Sequence, residues 1–587
     1  MIALVVRHVL VLTALTLAAW SLGARVVRRV PFVDALERAV VGCALGLGAI
    51  AYLVLALGLA HALTPPWAFG LVGGLALVAA PWSTLRQLAP RKIARGASFA
   101  LVVIALTLPW WGRALAPPID YDATMYHLTA ARWFAARHAV FPTVPLRYPG
   151  VPRLQEMLFT LMLLGGSESA AQGTQTIAAA LVTLALVAAG RRLQAPRAGF
   201  FAAALWLGSP LVMRLAASGY IDVGLTLFAT IATTATLAWQ RDRQRAWLVV
   251  AGVAAGFAAA NKYTGLVVAA ALALVVFVDG GGLRLRNTIA FGALAAVVGA
   301  PFYVLNALWC GNPVFPFAAG VFGPGWWNAD DLRWQLVDLR QLGAGRSLAA
   351  LARLPVRLLA AQRPFAQEGP WISPAYALLA PLTVWQARRD RRLVALGVVV
   401  AVFAIVWFAG AQSLRYLLPV LPAAALAHGL ALDRVLPSSR RLTFVVVAVL
   451  AAWGVLDGAW QWVSDLPPSP TGRVAWLSAR LRGYAAVDWL NRSAPGQRVF
   501  QLDHERFAYF ADSGVDDGWR GDAYGPYRES RIRSRLGDAA RLAGELRAMD
   551  TRFLLVPRAF ALPETTPFTT RFDRRYADAD DIIYALR

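Results

Sequence analysis

Apolar residues fall in long blocks along roughly the first 460 positions and then stop. Runs at about 2–22, 39–62, 66–83, 97–115, 172–190, 199–217, 220–239, 246–260, 263–279, 288–309, 373–386, 392–410, 414–431 and 442–460 are long enough, or nearly so, to cross a bilayer as helices, which takes about 20 apolar residues. Beyond Gln461 the apolar stretches shrink to strand length at Arg498–Leu502, Phe553–Val556 and Ile582–Tyr584, with an amphipathic helical pattern at Asp538–Met549. The pattern predicts a mainly α, polytopic transmembrane bundle of about 14 helices over 1–460, followed by a small α/β domain over 461–587.

Composition agrees. Of 587 residues 58% are hydrophobic and only 15% charged, with a mean hydropathy of +0.53, too little charge to cover a soluble protein of this length. Residues 461–587 hold 17 of the 33 acidic residues, as an aqueous domain would. The net charge of +24 does not point to nucleic acid, because the arginines sit in short loops between apolar runs. Placing Arg25–Arg38, Arg86–Arg95, Arg191–Arg197, Arg241–Arg245, Arg284–Arg286, Arg388–Arg392 and Arg434–Arg441 in the cytoplasm gives one consistent alternation, the positive-inside signature. The first segment, with Arg7 and His8 inside it and its basic cluster after it, reads as an uncleaved helix with its N-terminus outside.

Two long loops, 116–171 and 311–371, then lie outside the cytoplasm with everything after Gln461. Both are rich in Trp, Tyr and Pro, and are expected to carry amphipathic segments along the membrane interface. Cys43 and Cys310 fall near opposite faces, which disfavours a disulfide.

The first loop opens with Asp120-Tyr121-Asp122, followed by a helical pattern. Asp122 is placed as an N-cap, with Tyr126 one turn on and His127 beside it; as a general base it could take a proton from an acceptor hydroxyl. Asp120 is a candidate second carboxylate, for a divalent cation or for orientation, or is simply solvated. The chain has 55 arginines and two lysines. Lys92 needs no explanation in a basic loop, but Lys262 sits where two apolar helices meet at the outer face, a costly place for an ionisable group. A compact ammonium there suits a phosphate oxygen, although a snorkelling lysine is the plainer alternative. Asp222 begins another helix, where the helix dipole alone would account for it. Arg415 and Tyr416 begin a later one; Arg415 could grip a phosphate or pair with an acid. No phosphate-binding loop, dinucleotide glycine pattern, zinc-spaced Cys/His set or nucleophile elbow is present in the sequence.

These features together resemble the GT-C superfamily of membrane glycosyltransferases, near the protein O-mannosyltransferase and aminoarabinose-transferase group. The likeness runs from about Ala97 to Ala431. It rests on Asp122…Tyr126 as the acidic motif of the first outer loop, on Gly256–Gly265 with Lys262, on Asn312-Pro313-Val314-Phe315-Pro316-Phe317, and on Arg415-Tyr416-Leu417-Leu418-Pro419. Ala123 stands where the family often has glutamate. The resemblance implies transfer of a sugar from a polyprenyl-phosphate donor to an acceptor hydroxyl outside the cytoplasm, usually with inversion. In that reading Asp122 is the catalytic base, and Lys262 and Arg415 meet the donor phosphate with Tyr416, Tyr126, His127 and Asp222 around them. The arginine-rich, lysine-poor usage suggests a bacterial inner membrane with the active face outward. A transporter of lipid-linked sugars, or a non-catalytic envelope scaffold, is the competing expectation.

Overall fold

A computed structural model describes residues 2–80, 107–366, 369 and 371–587. The basic loop Arg86–Arg95 with Lys92, the end of the third apolar run (81–83) and the start of the fourth (97–106) lie outside the described residues.

The apolar runs become helices where they were expected. They are α1 (Ile2–Val26), α2 (Ala35–Leu59), α3 (Pro65–Ala79), α4 (Leu128–Arg137), α5 (Leu154–Leu164), α6 (Glu168–Arg192), α7 (Pro196–Leu207), α8 (Pro210–Leu215) and α9 (Asp222–Asp242). There follow α10 (Arg245–Asn261), α11 (Thr264–Asp279), α12 (Arg284–Cys310), α13 (Ala329–Gln341), α14 (Leu348–Ala360), α15 (Ala375–Ala387), α16 (Arg391–Ala409), α17 (Leu421–Val435) and α18 (Arg440–Ser464). Among the described residues eight helices are long and apolar enough to span a membrane, and α3, α5, α10 and α11 are shorter apolar helices. This is a multi-pass membrane protein.

Small residues let the helices close. A Cβ on Gly23 would lie 1.7 Å from the Gly42 carbonyl oxygen, and one on Gly46 would lie 1.8 Å from that of Ala19, so α1 and α2 meet backbone to backbone.

Two expectations are corrected. The run 199–217 is not one helix: it breaks at Ser209, which is extended, because Pro210 has no N–H to continue the ladder and its ring clashes with the preceding turn. The first long loop carries a buried helix in place of an amphipathic surface one. Its α5, Leu-Gln-Glu-Met-Leu-Phe-Thr-Leu-Met-Leu-Leu, is apolar almost all round and is buried from Leu154 to Met162, packed against α2, α4 and α6, as such a helix must be. The second loop does carry surface helices: α13 exposes Trp334 and Val337, and α14 exposes Leu348 and Val356.

Charged residues gather at two ends. At one, Arg191 pairs with Asp34, Arg192 with Glu37 and Asp242, Arg197 with Asp433, and Arg392 and Arg434 with Asp390. These are the segments grouped on one face by the charge pattern. At the other end lie both long loops and the C-terminal domain.

That domain begins with α19 (Arg473–Arg480) and α20 (Tyr484–Ser493) and contains α21 (Ala539–Ala548). Its strands are β1 (Val499–Gln501), β2 (Trp519–Arg520), β3 (Phe553–Pro557), β4 (Phe572–Ala577) and β5 (Asp581–Leu586), in the order β2-β1-β3-β5-β4. β1 is parallel to β2 and β3, and β5 is antiparallel to β3 and β4. Phe500, Leu542, Leu546, Leu554 and Ile582 form its core. The three expected strands and the expected helix are present; β2 and the polar edge strand β4 are additional.

Candidate functional site

Asp122 does not cap a helix. Residues 121 and 122 are already helical, Asp122 has φ −64° and ψ −29° with no side-chain capping bond, and Ala123–His127 forms a π-helical turn. Such turns often occur at functional sites. The carboxylate is therefore free to point elsewhere, and Arg415 Nη2 donates to Asp122 Oδ2 at 2.6 Å.

Arg415 continues the chain of charges. Its Nε is 3.7 Å from Asp222 Oδ2, and Lys262 Nζ donates to Asp222 Oδ1 at 2.9 Å. Two acids and two cations alternate: Asp122, Arg415, Asp222, Lys262. Tyr220 lies under the Arg415 guanidinium at 4.4 Å, and Tyr416 lies under the Lys262 ammonium at 4.5 Å.

Each member sits at the end of a helix. Asp222 opens α9. Lys262 is extended, φ −161° and ψ 151°, in the break between α10 and α11. Arg415 lies in a 3-10 turn, Leu414–Val420, that leads into α17. The break at Lys262 is tight because Gly265 packs where a Cβ would be 2.0 Å from the Ala258 carbonyl oxygen. The Asn312–Phe317 turn braces it, with Tyr263 Oη donating to the Phe315 carbonyl at 2.6 Å. Charges at such depth are tolerable because each has an opposite neighbour. Burial pushes the Asp122 carboxyl up, but the cations beside it, Arg415 foremost, outweigh it and hold it below the ordinary range.

The structure thus brings together Asp122, Asp222, Lys262, Arg415 and Tyr416. Asp222, which a helix dipole alone could have explained, also holds two cations. Tyr126 and His127 are buried on the adjoining π-turn, their rings 4.1 Å apart. Asp120 stands apart, buried against Arg214 at 3.4 Å. Asp120 and Asp122 thus pair with different arginines; among the described residues no three His, Cys, Asp or Glu side chains gather to hold a metal ion.

Sequence reasoning passed over Tyr220, Glu156 and Tyr148. Glu156 is fully buried, with Oε1 2.8 Å from His127 Nδ1. Tyr148 packs on Tyr126 with ring centroids 5.1 Å apart. The acid in an otherwise apolar α5 was the signal for Glu156.

The C-terminal domain clasps the same loop. Arg147 donates to Glu505 at 3.0 Å and to Asp522 at 3.1 Å. Tyr121 hydroxyl donates to Glu505, Arg506 donates to the Ile119 carbonyl at 2.7 Å, and Tyr509 N–H donates to the Thr124 carbonyl at 3.0 Å. Burial pushes the Asp522 carboxyl up to about 6, against the pull of Arg147. A cavity of about 670 Å³ opens among α1, α4 and this domain, lined by Arg7, Arg132, Glu168 and Arg473; no member of the charge cluster lines it.

The comparisons with known proteins point the same way as the motifs: part of the chain matches a glycosyltransferase family, and the fold is shared with a solved membrane protein. Residues 149–309 match the family described as dolichyl-phosphate-mannose-protein mannosyltransferase, and residues 472–585 match one described as SF2091/S2213. The solved structures it is similar to include ArnT from Cupriavidus metallidurans in the apo state, at 15% identity and TM-score 0.56, covering 84% of this chain and 98% of that one. The same protein bound to undecaprenyl phosphate matches at 16% identity and TM-score 0.53, covering 83% and 98%. No curated protein sequence gives a significant match.

Proposed function

We propose that this protein transfers a sugar from a polyprenyl-phosphate carrier to an acceptor hydroxyl on the extracytoplasmic side of the membrane, with inversion. The observation that carries this reading is the alternating cluster Asp122–Arg415–Asp222–Lys262 at the membrane end of the bundle. A phosphodiester arriving laterally from the bilayer would meet two cations already desolvated and held in place. The ArnT structure that holds undecaprenyl phosphate supports a carrier of that class.

In this mechanism Lys262 and Arg415 stabilise the charge that develops on the departing phosphate. Arg415 shifts its fork from Asp122 toward the phosphate, and Asp122 becomes available to the acceptor hydroxyl. It acts from the face of the anomeric carbon opposite the leaving group, as displacement through an oxocarbenium-like state demands. Tyr220 and Tyr416 keep the cations in place through their ring faces. The domain over 461–587 walls the site from water. We place the protein in a bacterial inner membrane, with the two long loops and this domain outside the cytoplasm.

The test is incubation of the purified protein with a panel of undecaprenyl-phosphate pentoses and hexoses, following release of undecaprenyl phosphate. Turnover with at least one member is expected. Turnover with a nucleotide sugar alone would overturn the donor assignment, and movement of intact carrier across vesicles without release would favour a transporter.

A further inference from the structure

The His127–Glu156 pair has no role in the mechanism above, yet few buried polar groups lie nearer to Asp122 in the chain. Glu156 is fully buried and His127 is 2% exposed. Their bond joins Nδ1 to Oε1 at 2.8 Å. A carboxylate only accepts, so Nδ1 carries the proton and Nε2 keeps its lone pair. Nε2 has no hydrogen-bond partner among the described residues. His127 also closes the π-turn that Asp122 precedes, and its ring meets Tyr220 edge-on with centroids 6.4 Å apart. Tyr220 in turn lies under Arg415, the partner of Asp122.

Once Arg415 returns to Asp122 after transfer, the carboxylate does not keep the proton it has taken. Asp122 must lose what it takes from the acceptor before another turnover, and it sits half-buried against Arg415. An imidazole ring nitrogen with a free lone pair can take that proton on.

We propose that His127, oriented by Glu156, relays the acceptor proton away from Asp122. This rests on the glycosyl-transfer reading. The acceptor oxygen bonds to the anomeric carbon while the bond from that carbon to the phosphate oxygen breaks, its electron pair leaving with the phosphate. The hydroxyl proton passes to Asp122 and then to Nε2 of His127. The resulting imidazolium is stabilised by Glu156 through Nδ1–H until the proton leaves to solvent. His127 acts through Asp122 and is a positioning and relay residue, not the first base.

The experiment measures kcat, donor KM and undecaprenyl phosphate affinity from pH 5 to 9 for the wild-type protein and for His127→Gln and Glu156→Gln, using the undecaprenyl-phosphate sugar that turns over. Both variants are expected to lose about 10–100-fold in kcat, with donor KM and undecaprenyl phosphate affinity within about twofold. The acid limb of the His127→Gln profile should move to lower pH, because the surviving base is the carboxylate. Glu156→Gln preserves the ring's hydrogen bond and shape, so it reports even if His127→Gln does not fold. Wild-type kcat and an unmoved acid limb in either folded variant overturn the relay alone. A wild-type protein that turns over no donor overturns the transfer reading, and the relay with it.

Discussion

Arg415 holds Asp122 across 293 residues of sequence, at 2.6 Å. The acid comes from the first outer loop and the cation from the turn before α17. Their meeting gives the site both a masked base and an anchored guanidinium.

Asp122→Asn removes the base and keeps the side-chain shape. Release of undecaprenyl phosphate should fall about 10²–10⁴-fold, while undecaprenyl phosphate binding, read by a thermal-shift titration, changes little. A folded variant with full activity would sink the assignment of Asp122.

Lys262→Met should damage folding as well as activity, because it leaves Asp222 buried beside a lost partner. Removing one partner of such a pair costs about 3–5 kcal/mol. The double variant Lys262→Met/Asp222→Asn should regain most of that stability and remain inactive. Equal melting temperatures for the single and double variants would show that the pair carries no such strain.

The docking of the C-terminal domain should depend on pH. Asp522 has its carboxyl raised to about 6 by burial, so the folded state binds its proton more tightly than the unfolded chain does. Its contribution is fully present below the unfolded value near 4, and is lost as pH rises through about 6. Protection of the 461–587 segment from limited proteolysis should therefore increase from pH 7 to pH 5. Asp522→Asn should flatten that change; an unchanged profile would remove Asp522 as its source.

Gly265→Val should abolish the tight break at Lys262, since a Cβ has only 2.0 Å to the Ala258 carbonyl oxygen. Overpacking of this kind costs about 1–3 kcal/mol or more. Lower yield of folded protein in detergent and loss of undecaprenyl phosphate affinity are expected. Gly292→Ala, where a Cβ meets nothing within 4 Å, is the control that should keep both.

Much of this was legible in the chain. Apolar blocks marked the spans because a bilayer requires long uninterrupted runs, and the rarity of lysine singled out Lys262. The order of the basic loops sorted the ends correctly, since residues grouped by charge are those that pair in the fold, as Arg192 does with Glu37 and Asp242. Partnerships were not legible. Nothing in the local sequence of Asp122 names Arg415, and a π-turn has no simple residue signature, so Asp122 looked like a cap. Glu156 stood out as an acid in an apolar helix, but its pairing was hidden because His127 lies 29 residues earlier. The edge strand β4, Phe-Asp-Arg-Arg-Tyr-Ala, faces solvent and lacks the apolar run by which strands are found.

The long reach from Asp122 to Arg415 also imposes an order in time. Asp222 meets Lys262 after only 40 residues, so that acid is neutralised almost as soon as its hairpin emerges. Asp122 waits through 293 residues, roughly 15–60 s at about 5–20 residues per second of synthesis, and the loop around it receives Glu505 and Asp522 later still. A chain interrupted anywhere before α17 has the carboxylate without its guanidinium. Partly made copies in the membrane are thereby inert, and competence arrives only with the last third of the polypeptide.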